Sequence, residues 1–281
     1  MPVSTSLRGR VPGQGVIGDI VAAQQVLPPR SLLARIFGVS PLTSATRGLY
    51  RAAIGELAVA EMLDQLGTRW DVLHVVPMND AAPCNTHGDA ESTQAPAQID
   101  HLVIGPPGVF SLTTENYPGQ EIRVSGDAMT IGGRTVDDIL VARRLATAAA
   151  ARLSSATERT VRVEPVIVVM DSSRLLLREQ PTGVTVVRAR HLVRLLTRLD
   201  RTLPGARVAQ ISDLAERDTT WDSSPTPPEN GVVLTDEFAK LREQVRNAVQ
   251  ARVLWIILGF AVVSMSAWVG TVLIVESALG Q

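Results

Sequence analysis

Residues 253–275 read VLWIILGFAVVSMSAWVGTVLIV, a stretch without a single charged side chain. In a helix, about 23 residues rise roughly 34 Å, enough to cross a hydrocarbon core about 30 Å thick. A buried helix of a soluble domain is seldom so long and so uniformly apolar, and the stretch carries Trp255 and Trp268, a residue type enriched at membrane interfaces. One transmembrane helix is therefore expected at 253–275, followed by a short tail at 276–281. Lys240, Arg242, Arg246 and Arg252 precede the span, while only Glu276-Ser-Ala-Leu-Gly-Gln follows it. That Lys/Arg bias places the N-terminal side in the cytoplasm of a single-pass cell-membrane protein. Near the N-terminus, the mildly apolar run 16–23 is interrupted by Asp19 and is too short for an export signal, so insertion is expected to rely on the C-terminal span.

The rest of the chain is less extreme. A net charge of −1 gives no global attraction to a polyanion, and a single cysteine, Cys84, allows no intramolecular disulfide and stands in a polar loop without the partners a zinc ligand needs. Residues 1–47 are rich in Gly, Pro and Ser and are expected to form an extended arm with a helical turn or two. A Pro/Ser-rich linker is expected at 221–234, and a charged juxtamembrane helix at 235–252, read as a solvated stalk continuous with the span. Between arm and linker lies one domain, 48–220.

Within that domain, the spacing predicts a helix over 49–66 closed by Gly67, with Glu56 inside its apolar stripe. β-Branched segments at 71–77, 99–104, 109–114 and 120–124 suggest an antiparallel meander. A helix is expected over the alanine-rich run 138–153, buried strands at 163–170 and 183–187, and a last helix over 190–199. Helix, meander, helix, strand, strand and helix in this order fit an α/β/α layered domain with a mixed central sheet.

The segment 98–117, QIDHLVIGPPGVFSLTTENY, holds two apolar strands around a Gly-Pro-Pro-Gly loop and is expected to form a hairpin. With Ile104 opposite Val109, Asp100 falls opposite Thr113, and the two-residue period puts Glu115 on the same face as Asp100. Glu56, on the inward side of its helix, is the natural third carboxylate, since a buried ionised carboxylate is costly unless paired, hydrogen-bonded or bound to metal. Three such acids are the oxygen donors that a hard divalent ion accepts. The bland alternatives are a solvated pair at a hairpin end for Asp100 and Glu115, and for Glu56 an ion pair with Arg47 or Arg51.

Gly55-Glu56, Trp70-Asp-Val-Leu-His-Val-Val-Pro, Ile99-Asp-His-Leu-Val-Ile-Gly-Pro, Gly108-Val-Phe, Tyr117-Pro-Gly and the 163–170 strand together resemble the nuclease-related domain (NERD) family, within the restriction-endonuclease-like PD-(D/E)xK nucleases. The resemblance implies a restriction-endonuclease-like α/β/α fold and Mg²⁺-dependent (or Mn²⁺-dependent) phosphodiester hydrolysis in DNA. It matches Glu56 and Asp100 to acidic motif positions, making Glu56, Asp100 and Glu115 the candidate catalytic and metal-holding residues. The family usually carries a lysine shortly after the Gly-Val-Phe strand, just before an Asn or His; here Glu115 precedes Asn116. A glutamate reverses the charge of a group that would orient the attacking water and stabilise charge on the phosphate, so impaired catalysis is expected.

His101 alternates to the face opposite Asp100 and is expected to be packed or hydrogen-bonded rather than a ligand; His74, His87 and His191 show no ligand spacing. Arg190, Arg194 and Arg198 recur at four-residue intervals, with Arg201 beyond, and form a candidate stripe for nucleic-acid phosphates. Without interleaved aromatics such contact would be to the backbone alone. The sequence thus points to a membrane-anchored nuclease-related domain acting on or binding DNA with degenerate catalysis. The alternative is an inactive membrane-tethered scaffold for a protein partner.

Overall fold

The computed structural model describes residues 6–28, 30–78, 97–221 and 231–279, with side chains of the last helix described to residue 268 and at 270. Its centre is a five-stranded sheet in the order β1-β2-β3-β7-β9, formed by β1 (Asp71–Pro77), β2 (Gln98–Gly105), β3 (Gly108–Asn116), β7 (Val163–Met170) and β9 (Thr185–Arg188). The first three strands run antiparallel, and β3, β7 and β9 run parallel, so the sheet is mixed. The hairpin register is the expected one, Ile104 opposite Val109 and Gly105 opposite Gly108, which leaves Pro106 and Pro107 as the turn.

Helices cover both faces, because strands buried on two sides need an apolar layer on each. Helices α3 (Ser44–Leu63) and α5 (Leu192–Arg198) cover one face, where Val59, Leu63, Leu192 and Leu196 pack on Val103, Phe110, Leu112, Val166 and Val168. On the other, α4 (Asp138–Thr157) and α6 (Gly205–Ala215) set Leu145, Ala149, Leu153 and Ile211 against Leu102, Ile104 and Val109. This is the expected α/β/α arrangement.

The fourth meander segment departs from expectation. After the Tyr117-Pro118-Gly119 break, β4 (Glu121–Ser125) leaves the central sheet and forms a second one, ordered β6-β5-β4-β8, with β5 (Ala128–Ile131), β6 (Arg134–Val136) and β8 (Arg174–Glu179). Turns at Gly126-Asp127 and Gly132-Gly133 join β4, β5 and β6, and such glycine pairs favour tight hairpins. Ile122 and Val124 face inward and alternate with exposed neighbours, as suits a sheet with one solvated face.

The N-terminal segment, expected as an extended arm, is instead helical in α1 (Gln14–Gln25) and α2 (Leu32–Ile36). The apolar run holding Val16, Ile17, Ile20 and Val21 has the spacing of a helical stripe, and it finds a partner in α3 and in the long final helix α7 (Gly231–Leu279). The charged part of α7 is therefore no solvated stalk: Leu234, Phe238, Leu241 and Ala248 are buried, and Phe238 packs on Tyr50 with ring centroids 5.6 Å apart. The linker expected at 221–234 is bounded by order at both ends, since Trp221 is buried with its Nε1 donating to the Ala215 carbonyl and helix α7 begins at Gly231; 222–230 lie outside the described residues. The described part of α7, Gly231–Trp268, is long and apolar enough to cross a membrane.

Candidate functional site: a buried carboxyl cluster

Four acids meet where the start of β2 and the end of β3 come together. Glu56 arrives from α3, which can settle on the sheet only because Gly55 lacks a side chain: a β-carbon there would lie 2.9 Å from Asn116 Cβ and 3.2 Å from Thr114 Cγ2. Asn116 Nδ2 fixes the contact by donating to the Arg51 carbonyl at 2.7 Å. Glu56 is buried, accepts the backbone N–H of Gly13 just ahead of α1, and leaves Oε2 without a hydrogen-bond partner. Among the described residues neither Arg47 nor Arg51 forms an ion pair with it.

Asp100 and Glu115 share the opposite, α4-facing side of the sheet, as the register requires. Asp100 keeps partial exposure, and its Oδ2 accepts the Thr114 N–H at 2.7 Å. The β1 position facing it, between the pairs His74–His101 and Val76–Ile99, is Val75, whose φ of 53° is strained for a β-branched residue. The Val75 carbonyl accepts a hydrogen bond from Arg10 at 2.6 Å, so the N-terminal segment braces this edge as well as reaching Glu56. Glu115 is buried against Asp138, the first residue of α4, and the two carboxyls hydrogen-bond; the Tyr117 side chain also bonds Glu115.

Sequence reasoning missed Asp138. The pair Asp137-Asp138 reads only as an acidic helix start, favoured by the helix dipole, and nothing local shows that α4 begins against the end of β3.

Burial dominates the electrostatics. It raises the Glu56 carboxyl well above the usual range, helped by Asp100 and opposed by the Gly13 N–H. Burial likewise raises Glu115, helped by Asp138 and Asp100. Burial pushes Asp100 up to about 7 against the Thr114 N–H, and Asp138 up to about 7 with Asp137 adding to the effect and the Glu115 hydrogen bond opposing it. No arginine or lysine is among the causes for any of the four, so nothing cationic opposes the upward shift that burial imposes on each.

The donors are the oxygens a hard cation takes, and Glu56 Oε2 and Asp138 Oδ2 are buried without partners. As the side chains stand, they do not surround one ion position: among the described residues no group of three or more His, Cys, Asp or Glu side chains is placed to hold a metal. The acids are engaged instead with backbone N–H groups and with one another.

His101 lies on the α3-facing side, buried, as expected of a packed histidine. Its Nδ1 is 2.8 Å from Nδ1 of His74, and burial and that neighbour keep its pKa well below the ordinary value. The arginine stripe is shorter than expected. Helix α5 starts at Leu192, and Arg190 belongs to a preceding 3₁₀ turn, where its Nε donates to His191 Nε2 at 3.3 Å. Arg194 and Arg198 do share a surface cleft of about 370 Å³ with His191, Leu195, Leu199 and Val187. The acids line no part of it.

Residues 51–170 match the family model of the nuclease-related domain (NERD), a span that starts within α3, ends with β7 and contains all four acids but neither α1, α2 nor the arginine cleft. No curated protein and no solved structure matches the chain. It is thus the α/β/α core around the carboxyl cluster, residues 51–170, that is similar to the nuclease-related domain.

Proposed function

We propose that this chain is a membrane-tethered nuclease-related protein that binds nucleic acid and is impaired in hydrolysing it. What supports this reading is Glu115, which the resemblance sets where the family usually carries a lysine, and which is buried and hydrogen-bonded to Asp138, with no cationic side chain shifting any of the four acids. Phosphodiester hydrolysis needs a group that orients water and offsets charge on the phosphate. A protonated Glu115 spends its proton on Asp138, and an ionised one repels the phosphate. A nuclease of this kind draws its Lewis acidity from Mg²⁺ or Mn²⁺, which Glu56 and Asp100 would hold, although as they stand no three acids surround one ion position.

Binding rests on other residues. Arg194 and Arg198 are exposed at one cleft, a geometry suited to backbone phosphates, and Arg190 is exposed beside the cleft-lining His191, to which it donates. The apolar part of α7, 253–275, anchors the chain, and the Lys/Arg bias before it keeps the domain in the cytoplasm.

The test is DNA binding by the full chain in nanodiscs across a salt titration. The expected result is affinity falling steeply with salt, and a slope reduced by about 2 when Arg194 and Arg198 are both changed to Ala. Absent or salt-insensitive binding would leave the fold as a membrane-tethered scaffold for a protein partner.

A further inference from the structure

Helix α2 and the turn after it leave a run of large apolar side chains exposed. Leu32, Leu33, Ile36, Phe37 and Val39 are between 53% and 74% exposed. At about 100° per residue, Leu32, Leu33, Ile36 and Phe37 fall within one arc of roughly 140°, with Arg35 at its flank, so the exposed surface is a continuous face.

This face is fixed at one height on α7. Gly38, at φ 68°, lies so close to α7 that a β-carbon would be 2.5 Å from the Ala248 carbonyl oxygen and 2.7 Å from the Arg252 nitrogen. Arg252 donates to the Gly38 carbonyl at 3.0 Å, Trp255 Nε1 donates to the Ile36 carbonyl at 2.8 Å, and the Phe37 and Trp255 ring centroids are 5.2 Å apart. Ala248 is the last buried residue among those of the helix whose side chains are described, and from Val253 to Trp268 the side chains are exposed all round. The exposed face of α2 therefore stands level with the first turn of the uncharged stretch.

We propose that α2 is an interfacial membrane helix, with Leu32, Leu33, Ile36 and Phe37 inserted at the headgroup and acyl-chain boundary beside the point where α7 enters the bilayer. This rests on the reading of α7 as a membrane anchor. Continuity selects the occupant: a bilayer that surrounds α7 from Val253 onward also meets residues held against Arg252 and Trp255. An apolar helix face with flanking Arg lying in the interface plane is a known way for a segment to sit on lipid, and Trp255 is of a type that favours that level. The consequence is orientation, because two attachments a helix width apart hold the domain at one tilt above the membrane where a single span would let it swivel.

The test uses the full chain with its one cysteine changed, Cys84→Ser, and a single environment-sensitive fluorophore placed by Leu33→Cys, Val263→Cys or Thr182→Cys. Each is reconstituted in phosphatidylcholine/phosphatidylglycerol vesicles containing lipids with a nitroxide near the headgroup or near the chain end. The expected result is that the Leu33 label is quenched about twofold or more over the Thr182 label, more by the shallow quencher than the deep one. The Val263 label should be quenched more by the deep quencher. Quenching at Val263 with a Leu33 label as solvent-exposed as that at Thr182 would overturn the proposal and leave the anchor standing. A Leu33 label shielded from water but untouched by either quencher would overturn it in favour of a protein covering that face. No quenching at Val263 would sink the anchor reading and this inference with it.

Discussion

The carboxyl cluster and the α2–α7 junction are opposite departures from ordinary burial. In the first, three acids lie buried and a fourth, Asp100, half-buried, with no cationic partner among the described residues; in the second, five large apolar side chains lie mostly exposed on the surface. Each departure costs free energy in water, and a fold keeps such a feature where something else offsets it. At the cluster the offset is backbone N–H groups and the hydrogen bond between Glu115 and Asp138, with burial raising the pKa of every acid. At the junction it is the bilayer proposed above. The core matched to the nuclease-related domain thus holds its acids without a cation among the described residues, while the helical layer outside the matched span carries the exposed apolar face and the long apolar helix.

The comparison breaks most readily at the packing that joins the two regions. Phe238, buried between α7 and Tyr50, is expected to cost about 3 to 5 kcal/mol when changed to Ala, because the cavity sits in the small core shared by α1, α3 and α7. Denaturant melts should show the loss, and proteolysis between the domain and the span should increase.

The cluster predicts an unusual pH dependence. Acids with raised folded-state pKa values bind more protons folded than unfolded, so between their unfolded values near 4 and folded values of about 7 or above, stability falls as pH rises. Melting temperature should therefore drop by roughly 5 °C or more from pH 5 to pH 8. Asp100→Asn or Asp138→Asn should flatten that slope and be stabilising at pH 8. A melting temperature that rises over this window would mean that the acids are ionised and paired.

A smaller effect is expected at the junction. Gly38→Ala adds a β-carbon at a positive φ against the α7 backbone and should cost about 1 to 2 kcal/mol. It should change Trp255 fluorescence through the Phe37 contact while leaving the pH profile of the cluster intact.

Much of the core was legible because its signals are local. The 163–170 strand, the Ile104–Val109 hairpin register and the inward placement of Glu56 follow from periodicity and turn chemistry alone. The register in turn put Asp100 and Glu115 on one face. What stayed hidden depends on contacts between distant segments. Asp138 joins the cluster only because α4 starts at the end of β3, and the N-terminal helices are specified by the partner that α7 provides about 200 residues later. The hairpins of the second sheet were readable in Gly126-Asp127 and Gly132-Gly133, but their strands are too short and too one-sided to stand out from loop sequence.

The central claim is that Glu115 disables a nuclease site whose acid frame is otherwise kept, and plasmid nicking tests it most directly. The full chain in nanodiscs, beside its Glu115→Lys and Asp100→Ala variants, would be incubated with supercoiled plasmid and Mg²⁺ or Mn²⁺. The account predicts a silent parent and metal-dependent nicking by Glu115→Lys, where an ammonium group among three carboxyls restores the missing charge. Nicking by the parent that is lost in Asp100→Ala would contradict it and show a nuclease that works without the lysine.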